Sequence, residues 1–279
     1  MNKLIVSVIL FILPLSAQAN FPWISEEGNG FISVSLVHEK FNDLWEGTNK
    51  TSFAPGVYIE QQTLMVAAEY AFIEDYSVDF QTGYTRSTFD SATRGDFKGL
   101  YDSNLAVRWR WIDETIEDNL PTVTFRLGVI VAGNYESSSK GNPHSPGDGE
   151  SGWEGSTILG KMSHDGKIAF YGELGLRQRS GRVPDDVFYN VGLINFYSPS
   201  WSFNADVNVV KGLSGTDIKQ PGFSPNEFDA LKEEVSRYGV GASFTGLGDF
   251  SISLNASYVF KGRNTGKSKV IVLSLSQAI

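Results

Sequence analysis

Eight charged residues share a spacing that could do chemistry. Glu69, Asp79, Arg108 and Arg126 fall on four successive segments of alternating polarity, each about four or five residues from a short turn. Asp206 holds a similar offset further along, Glu173 and Arg177 share another segment, and Arg110 follows Arg108 on the same parity. Charges brought to one height on neighbouring strands can frame a constriction that selects solutes. They can equally pair with one another and fill a narrow interior, because pairing offsets the cost of desolvation. Both readings make these eight side chains pore-lining candidates, and Arg108→Ala or Thr124→Arg is expected to be milder than an arginine placed on the opposite, apolar parity.

Other chemistry is thin. His38, His144 and His164 have no companion nucleophile at a fixed spacing, which a hydrolase at a barrel rim would need. Asp148, Glu150 and Glu154 could catch Ca²⁺, but they do not follow the EF-hand pattern, and solvated loop carboxylates explain them better. The chain has no cysteine, so thiolate metal sites and disulfides are excluded. A net charge of −9 makes it a poor nucleic-acid binder. No catalytic residue, metal or cofactor is assigned, and the chain is not read as an enzyme.

About twelve segments with period-2 alternation must position the charges. In the stretch LAVRWRWID, Val107, Trp109 and Trp111 take one parity, Arg108 and Arg110 the other. Over 121–133 the polar parity holds Thr122, Thr124, Arg126 and Gly128; over 250–260 it holds Ser251, Ser253, Asn255 and Ser257. A soluble sandwich would scatter Lys and Glu over its outer face. Small polar residues with a few arginines suit an enclosed wet lumen, which leaves the apolar parity to lipid. Trp109 and Trp111 then face lipid. Gly128, Gly175, Gly192, Gly239 and Gly241 on the lumen parity are expected to leave space there.

The connections alternate short and long. Short ones fall near 73–75, 163–166, 198–200 and 246–249; long ones near 41–57, 87–99, 133–152, 180–186 and 211–235. That rhythm matches short periplasmic turns and long extracellular loops. Tyr70, Phe72, Trp111, Tyr197, Trp201, Phe244 and Phe250 gather beside the short turns as an interfacial girdle. In the longest loop, SPNEFDALKEEV carries a capping box, Ser224 with Glu227, and predicts a short helix over 225–234. Residues 1–19 combine Lys3, an apolar run of about a dozen residues and the small-x-small site Ala17-Gln18-Ala19. They read as a secretory signal peptide, and residues 20–279 as one barrel domain.

Several stretches resemble the outer-membrane barrels grouped as the MetA-pathway of phenol degradation, or putative transporter, family. They are AAEYAFIEDYSVDFQTGY, GLYDSNLAVRWRWIDE, NLPTVTFRLGVIVAGNYE and FYGELGLRQRSGRVPDDVFYNVG. Gly99 and Asp102, Pro121, Gly133 and Pro184-Asp185 fall on that family's loose marks. The resemblance implies an outer-membrane barrel linked to uptake of aromatic or other apolar compounds, and it supplies no assigned substrate residues.

The fold expected is all-β: a single transmembrane antiparallel barrel of about twelve strands, of the Gram-negative outer-membrane type. The function expected is passive passage of small solutes, with outer-membrane lipid and the solute as partners and no cofactor. The alternatives are a plugged structural or adhesive barrel whose loops bind partners, and less favoured, a rim hydrolase. Cleavage is expected after Ala19, so N-terminal sequencing of the outer-membrane fraction should begin at Asn20; protein recovered in the inner membrane with Met1 attached would refute it.

Overall fold

The computed structural model describes residues 21–91, 94–117, 119–134, 147–223 and 227–279. The expected leader, His144 and residues 224–226 lie outside them. The strands are β1 (Gly30–Phe41), β2 (Asp43–Glu46), β3 (Asn49–Ser52), β4 (Ile59–Ile73), β5 (Tyr76–Ser91), β6 (Arg94–Leu100), β7 (Ser103–Ile112) and β8 (Thr122–Val131). They continue as β9 (Gly152–Met162), β10 (Ile168–Arg179), β11 (Asp186–Phe196), β12 (Trp201–Gly212), β13 (Glu234–Leu247), β14 (Phe250–Arg263) and β15 (Lys269–Ala278).

Each wall strand pairs antiparallel with its sequence neighbour, and the ring closes where β1 pairs with both β15 and β4. β6 and β7 are two halves of one wall strand, because β5 pairs with β7 low down and with β6 higher up. The wall therefore has twelve strands, and β2 with β3 forms a separate hairpin outside it. Closure leaves no open edge, so backbone donors and acceptors at membrane depth can pair with the next strand.

Register carries the sequence parity round the ring. On the outer face Leu105 stands between Phe80 and Val129, and Val107 between Val78 and Leu127; all are exposed except Val78, which is half-buried. On the inner face Arg108 and Arg126 are only 4% and 7% exposed. The arginine side is inside. The aromatic girdle forms beside the short turns, where Tyr76 stacks on Trp109 with centroids 6.3 Å apart and Trp201 meets Phe244 at 5.0 Å.

The junction of β6 and β7 is a bulge. Tyr101 N donates to Gly83 O at 2.7 Å, while the Thr82 and Ser103 hydroxyls lie 2.8 Å apart, so Asp102 is the extra residue. A bulge re-aims a side chain. Asp102 is buried and accepts from Gly133 N at 2.8 Å and Gly149 N at 3.3 Å, with Arg179 Nη1 at 3.5 Å. Two of the family-like marks, Asp102 and Gly133, thus meet.

Two expected connections differ. Much of the 87–99 stretch is strand: β5 runs to Ser91, β6 starts at Arg94, and Arg86 Nη2 reaches Asp96 Oδ2 at 2.5 Å across the pair. Polar residues on both faces made this extension look like a loop. The helix expected over 225–234 is a single 3₁₀ turn at Phe228–Ala230. Its continuation is pre-empted, because Lys232 N donates to Thr216 O at 2.9 Å and Leu231 is buried beneath that bridge. β13 then begins at Glu234.

Arginine on the outer face should be costly. Val129→Arg is expected to lower stability by about 2–4 kcal/mol near the midplane. Ser257→Arg, on a half-buried lumen position, should cost well under half as much. Unfolding titrations in lipid vesicles check this, and equal costs on the two faces would contradict the assigned orientation.

Candidate functional site in the lumen

Two neighbouring rungs of the sheet build a charged wall. The lower rung reads Ser77, Arg108, Arg126 and Ser156 across β5, β7, β8 and β9. The upper rung reads Glu69, Asp79, Ala106, Gly128, Glu154, Arg177 and Asp186 from β4 to β11. Arg108 and Arg126 stand directly opposite, an arrangement that repels unless acids intervene. The upper rung supplies the acids, with two small residues between them where a guanidinium can lie.

Arg126 spreads over Ala106 and Gly128. Its Nε and Nη2 reach the two Asp79 oxygens at 3.0 and 2.8 Å, Nη2 also donates to Asn104 Oδ1, and Nη1 donates to Glu154 Oε1. Glu154 further accepts from Asn104 Nδ2 at 2.8 Å and Arg177 Nε at 3.2 Å. Arg177 Nη1 lies 3.5 Å from Asp186 Oδ2. Arg108 donates to Glu69 Oε2 and to the Phe21 carbonyl. The wall is an ion-pair network in which Arg108 Nε and Asp186 Oδ1 stay buried without a hydrogen-bond partner.

Of the eight candidates, Glu69, Asp79, Arg108, Arg126 and Arg177 join this network. Glu173 lies beside it and accepts from Ser156 Oγ at 2.7 Å. Arg110 does not join: it sits at the periplasmic rim with Asp75 at 2.8 Å and Asp113 at 3.2 Å. Asp206 stands apart on β12, half-buried. Arg110 is two residues nearer the turn than Arg108 on β7, and Asp206 lies on a rung with Gly192 and Gly239 that the network does not occupy.

The sequence reading missed Glu154, which it placed among loop carboxylates; it bridges two arginines from β9. It also missed residues 21–24, which enter the periplasmic end of the lumen and are buried. Thr124 Oγ1 donates to Pro22 O at 2.5 Å, Trp23 Nε1 to Glu114 Oε1 at 2.9 Å, and Ser25 N to Glu69 Oε1 at 3.4 Å. Pro22 and Trp23 occupy the place a side chain on Gly160 would need. Phe21 meets Tyr171 edge-on at 4.8 Å, in an apolar cluster with Ala169 and Ile194. Gly28, at φ +84°, turns the chain back into β1.

These contacts correct two expectations. Thr124 and Arg108 are not relaxed positions: both are buried and both hold the N-terminal segment. The lumen glycines do not leave empty space. Phe188 lies over Gly175, Tyr171 over Gly192, Asp206 over Gly239, and Asn204 with Asn255 over Gly241.

Loops close in on the extracellular side. Asn264 accepts from Gly47 N at 2.8 Å and Ile218 N at 3.1 Å, and donates to Asp217 Oδ1 and Lys232 O, both at 2.8 Å. Asp148 lies 3.2 Å from Arg179, and Ser180 Oγ donates to Glu150 at 3.0 Å. His38 lies 3.7 Å from Glu60, and His164 is in the turn between β9 and β10. Among the described residues no group of three or more His, Asp or Glu is arranged to hold a metal.

No family model and no curated protein matches the sequence. Among solved structures the chain is similar to an outer membrane channel from Pseudomonas putida F1, with a TM-score of 0.73 and 13% identity over 96% of this chain and 100% of that one. It is also similar to the KdgM porin in complex with disordered oligogalacturonate, at TM-score 0.52 and 6% identity over 88% and 98% of the two chains. LpxR from Salmonella typhimurium matches at TM-score 0.51 and 13% identity over 88% and 99%. These likenesses show the fold, a closed antiparallel barrel of the outer-membrane type.

Arg108→Ala should be severe, since it leaves Glu69 buried without its guanidinium and frees the Phe21 carbonyl. The expected loss is about 3–5 kcal/mol. Arg110→Ala, at the rim, should cost about 1 kcal/mol. Denaturant midpoints of the two variants in detergent check this; equal losses would mean the inner pair carries no special weight.

Proposed function

We propose that the chain is an outer-membrane channel for passive entry of small solutes, exported with a leader of residues 1–19 that is removed. One observation supports this most. The lumen wall has two unlike halves: the arc from β4 to β10 carries a paired charge network, while the arc from β11 to β14 carries polar side chains beside half-buried, water-accessible ones such as Asp206 and Arg237. Groups of the second kind suit a solute path. Residues 21–24 narrow that path at its periplasmic end, so the channel is tight rather than an open pore.

The resemblance described above implies aromatic or other apolar compounds. The amide and hydroxyl character of β11 to β14, with Asn190, Asn204, Asn208, Ser243 and Asn255 turned inward, supports small polar solutes better. Within 4.0 Å, Glu39, Asp206 and Arg237 have no ion-pair partner among the described residues; two acids against one base favour cations over anions along the path.

A plugged structural or adhesive barrel is the second reading. The packing of residues 21–24 and the tying of three loops by Asn264 favour it. A rim hydrolase has less support, since the group 3.7 Å from His38 is the Glu60 carboxylate and not a nucleophilic hydroxyl.

Planar-bilayer recordings separate the two. The wild type is expected to pass small ions weakly with a preference for cations, and deletion of residues 21–27 should raise conductance several-fold. Neutralising Arg108 and Arg126 together, as the double Gln variant, should deepen the cation preference by uncovering Glu69, Asp79 and Glu154. Silence of the wild type and the deletion variant, both folded, would support the plugged barrel; a conducting wild type whose selectivity ignores the double variant would remove the charge layer from the solute path.

A further inference from the structure

Opposite the paired network lies a patch whose charges are left open. It spans β10 to β13 and two adjacent rungs. One rung reads Asn190, Asn208 and Arg237. The next reads Tyr171, Gly192, Asp206 and Gly239. Asp206 is directly opposite Gly239, two residues along β13 from Arg237, so the carboxylate and the guanidinium occupy diagonal positions on neighbouring strands. Diagonal neighbours are within reach of a long side chain. They do not pair. Arg237 Nη2 instead donates to Asn208 Oδ1 at 3.1 Å, and among the described residues Asp206 has no ion pair within 4.0 Å and accepts no hydrogen bond.

The surroundings keep the two charges apart and approachable. Gly239 has no side chain, and Asp206 Oδ1 lies 2.8 Å from where a Cβ there would stand, so the carboxylate rests flat against the wall. Tyr171 rests in the same way over Gly192. Both Asp206 and Arg237 remain half-buried and open to the lumen. Behind them, Asn190 is 2% exposed with neither amide atom hydrogen-bonded, and the Tyr171 hydroxyl is also buried without a partner. Buried polar groups are ordinarily satisfied. Here donors and acceptors of both kinds gather beside an anion and a cation that make no ion pair with each other within 4.0 Å.

We propose that this patch is a binding station for small zwitterionic solutes, with the solute's ammonium at Asp206 and its carboxylate at Arg237. Each charge of the solute meets the opposite charge of the wall, and the Asn190 amide and Tyr171 hydroxyl become satisfied as the side chains adjust. A solute with one charge would leave either Asp206 or Arg237 without a counter-charge. The station deepens the channel reading, and its own test measures binding rather than passage.

The full chain in detergent is titrated calorimetrically with glycine, β-alanine and γ-aminobutyrate, which hold ammonium and carboxylate progressively further apart, and with propylamine, propionate and propionamide. At least one zwitterion is expected to bind about tenfold tighter than all three controls. Asp206→Asn should abolish that advantage and leave propionate ahead of propylamine; Arg237→Gln should abolish it and leave propylamine ahead. Neither residue joins the charged network, so both variants should keep the wild-type unfolding midpoint. Zwitterions that bind no tighter than the controls, or variants that do not swap preference, would overturn the station. Binding with the expected swap but without conductance would uphold the station and remove the channel reading, whereas conductance without binding would do the reverse.

Discussion

A strand edge cannot stand open in hydrocarbon. An unpaired amide or carbonyl there costs several kcal/mol, and water is absent to satisfy it. The rest of this structure depends on that constraint. It forces β1 to meet β15 as well as β4 and fixes a ring of twelve strands. Once the ring is closed, the period of two leaves each residue only two choices, lipid or lumen. The tryptophans of β7 take the lipid side and the arginines between them take the lumen.

Bringing arginines inside creates a second problem, since a guanidinium enclosed without a counter-charge is costly. The wall answers it in two rungs. Arginines occupy the lower rung, acids occupy the upper, and Ala106 with Gly128 leave Arg126 room to reach Asp79 on one side and Glu154 on the other. Residues 21–24 use the same groups. Arg108 holds the Phe21 carbonyl with one nitrogen and Glu69 with another, and Glu69 also takes the Ser25 amide. Wall and N-terminal segment are one hydrogen-bonded unit, so loosening either loosens the other. The opposite arc carries no such network, and its Asp206 and Arg237 stay half-buried without an ion pair within 4.0 Å.

Strand parity was legible in the sequence because a closed barrel repeats one simple rule. Val107, Trp109, Leu127, Val129, Ile252 and Leu254 all face outward as their alternation predicts. Ion-pair partners were less legible, since pairing depends on register round the ring. Arg126 finds Asp79 by passing over β7, a relation no local spacing encodes. Glu154 hid among the glycines and acids of its neighbourhood, which blur the alternation of β9. Residues 21–24 show neither period, since they form no strand; their apolar character before a polar turn at Glu26 and Glu27 was the available sign. The capping box near Ser224 promised a helix, but local propensity yielded to the bridge between Thr216 and Leu231.

The central claim is that the polar side of each strand is the inside. Because the chain has no native cysteine, single cysteines can be placed at each position from Leu105 to Trp111 and spin-labelled in lipid bilayers. Collisions with oxygen, which partitions into lipid, should peak at Leu105, Val107, Trp109 and Trp111, and fall at Ala106, Arg108 and Arg110. A water-soluble nickel reagent should show no matching peak at the four outer positions. Oxygen access that peaks at the arginine positions, or that fails to alternate along β7, would contradict the account.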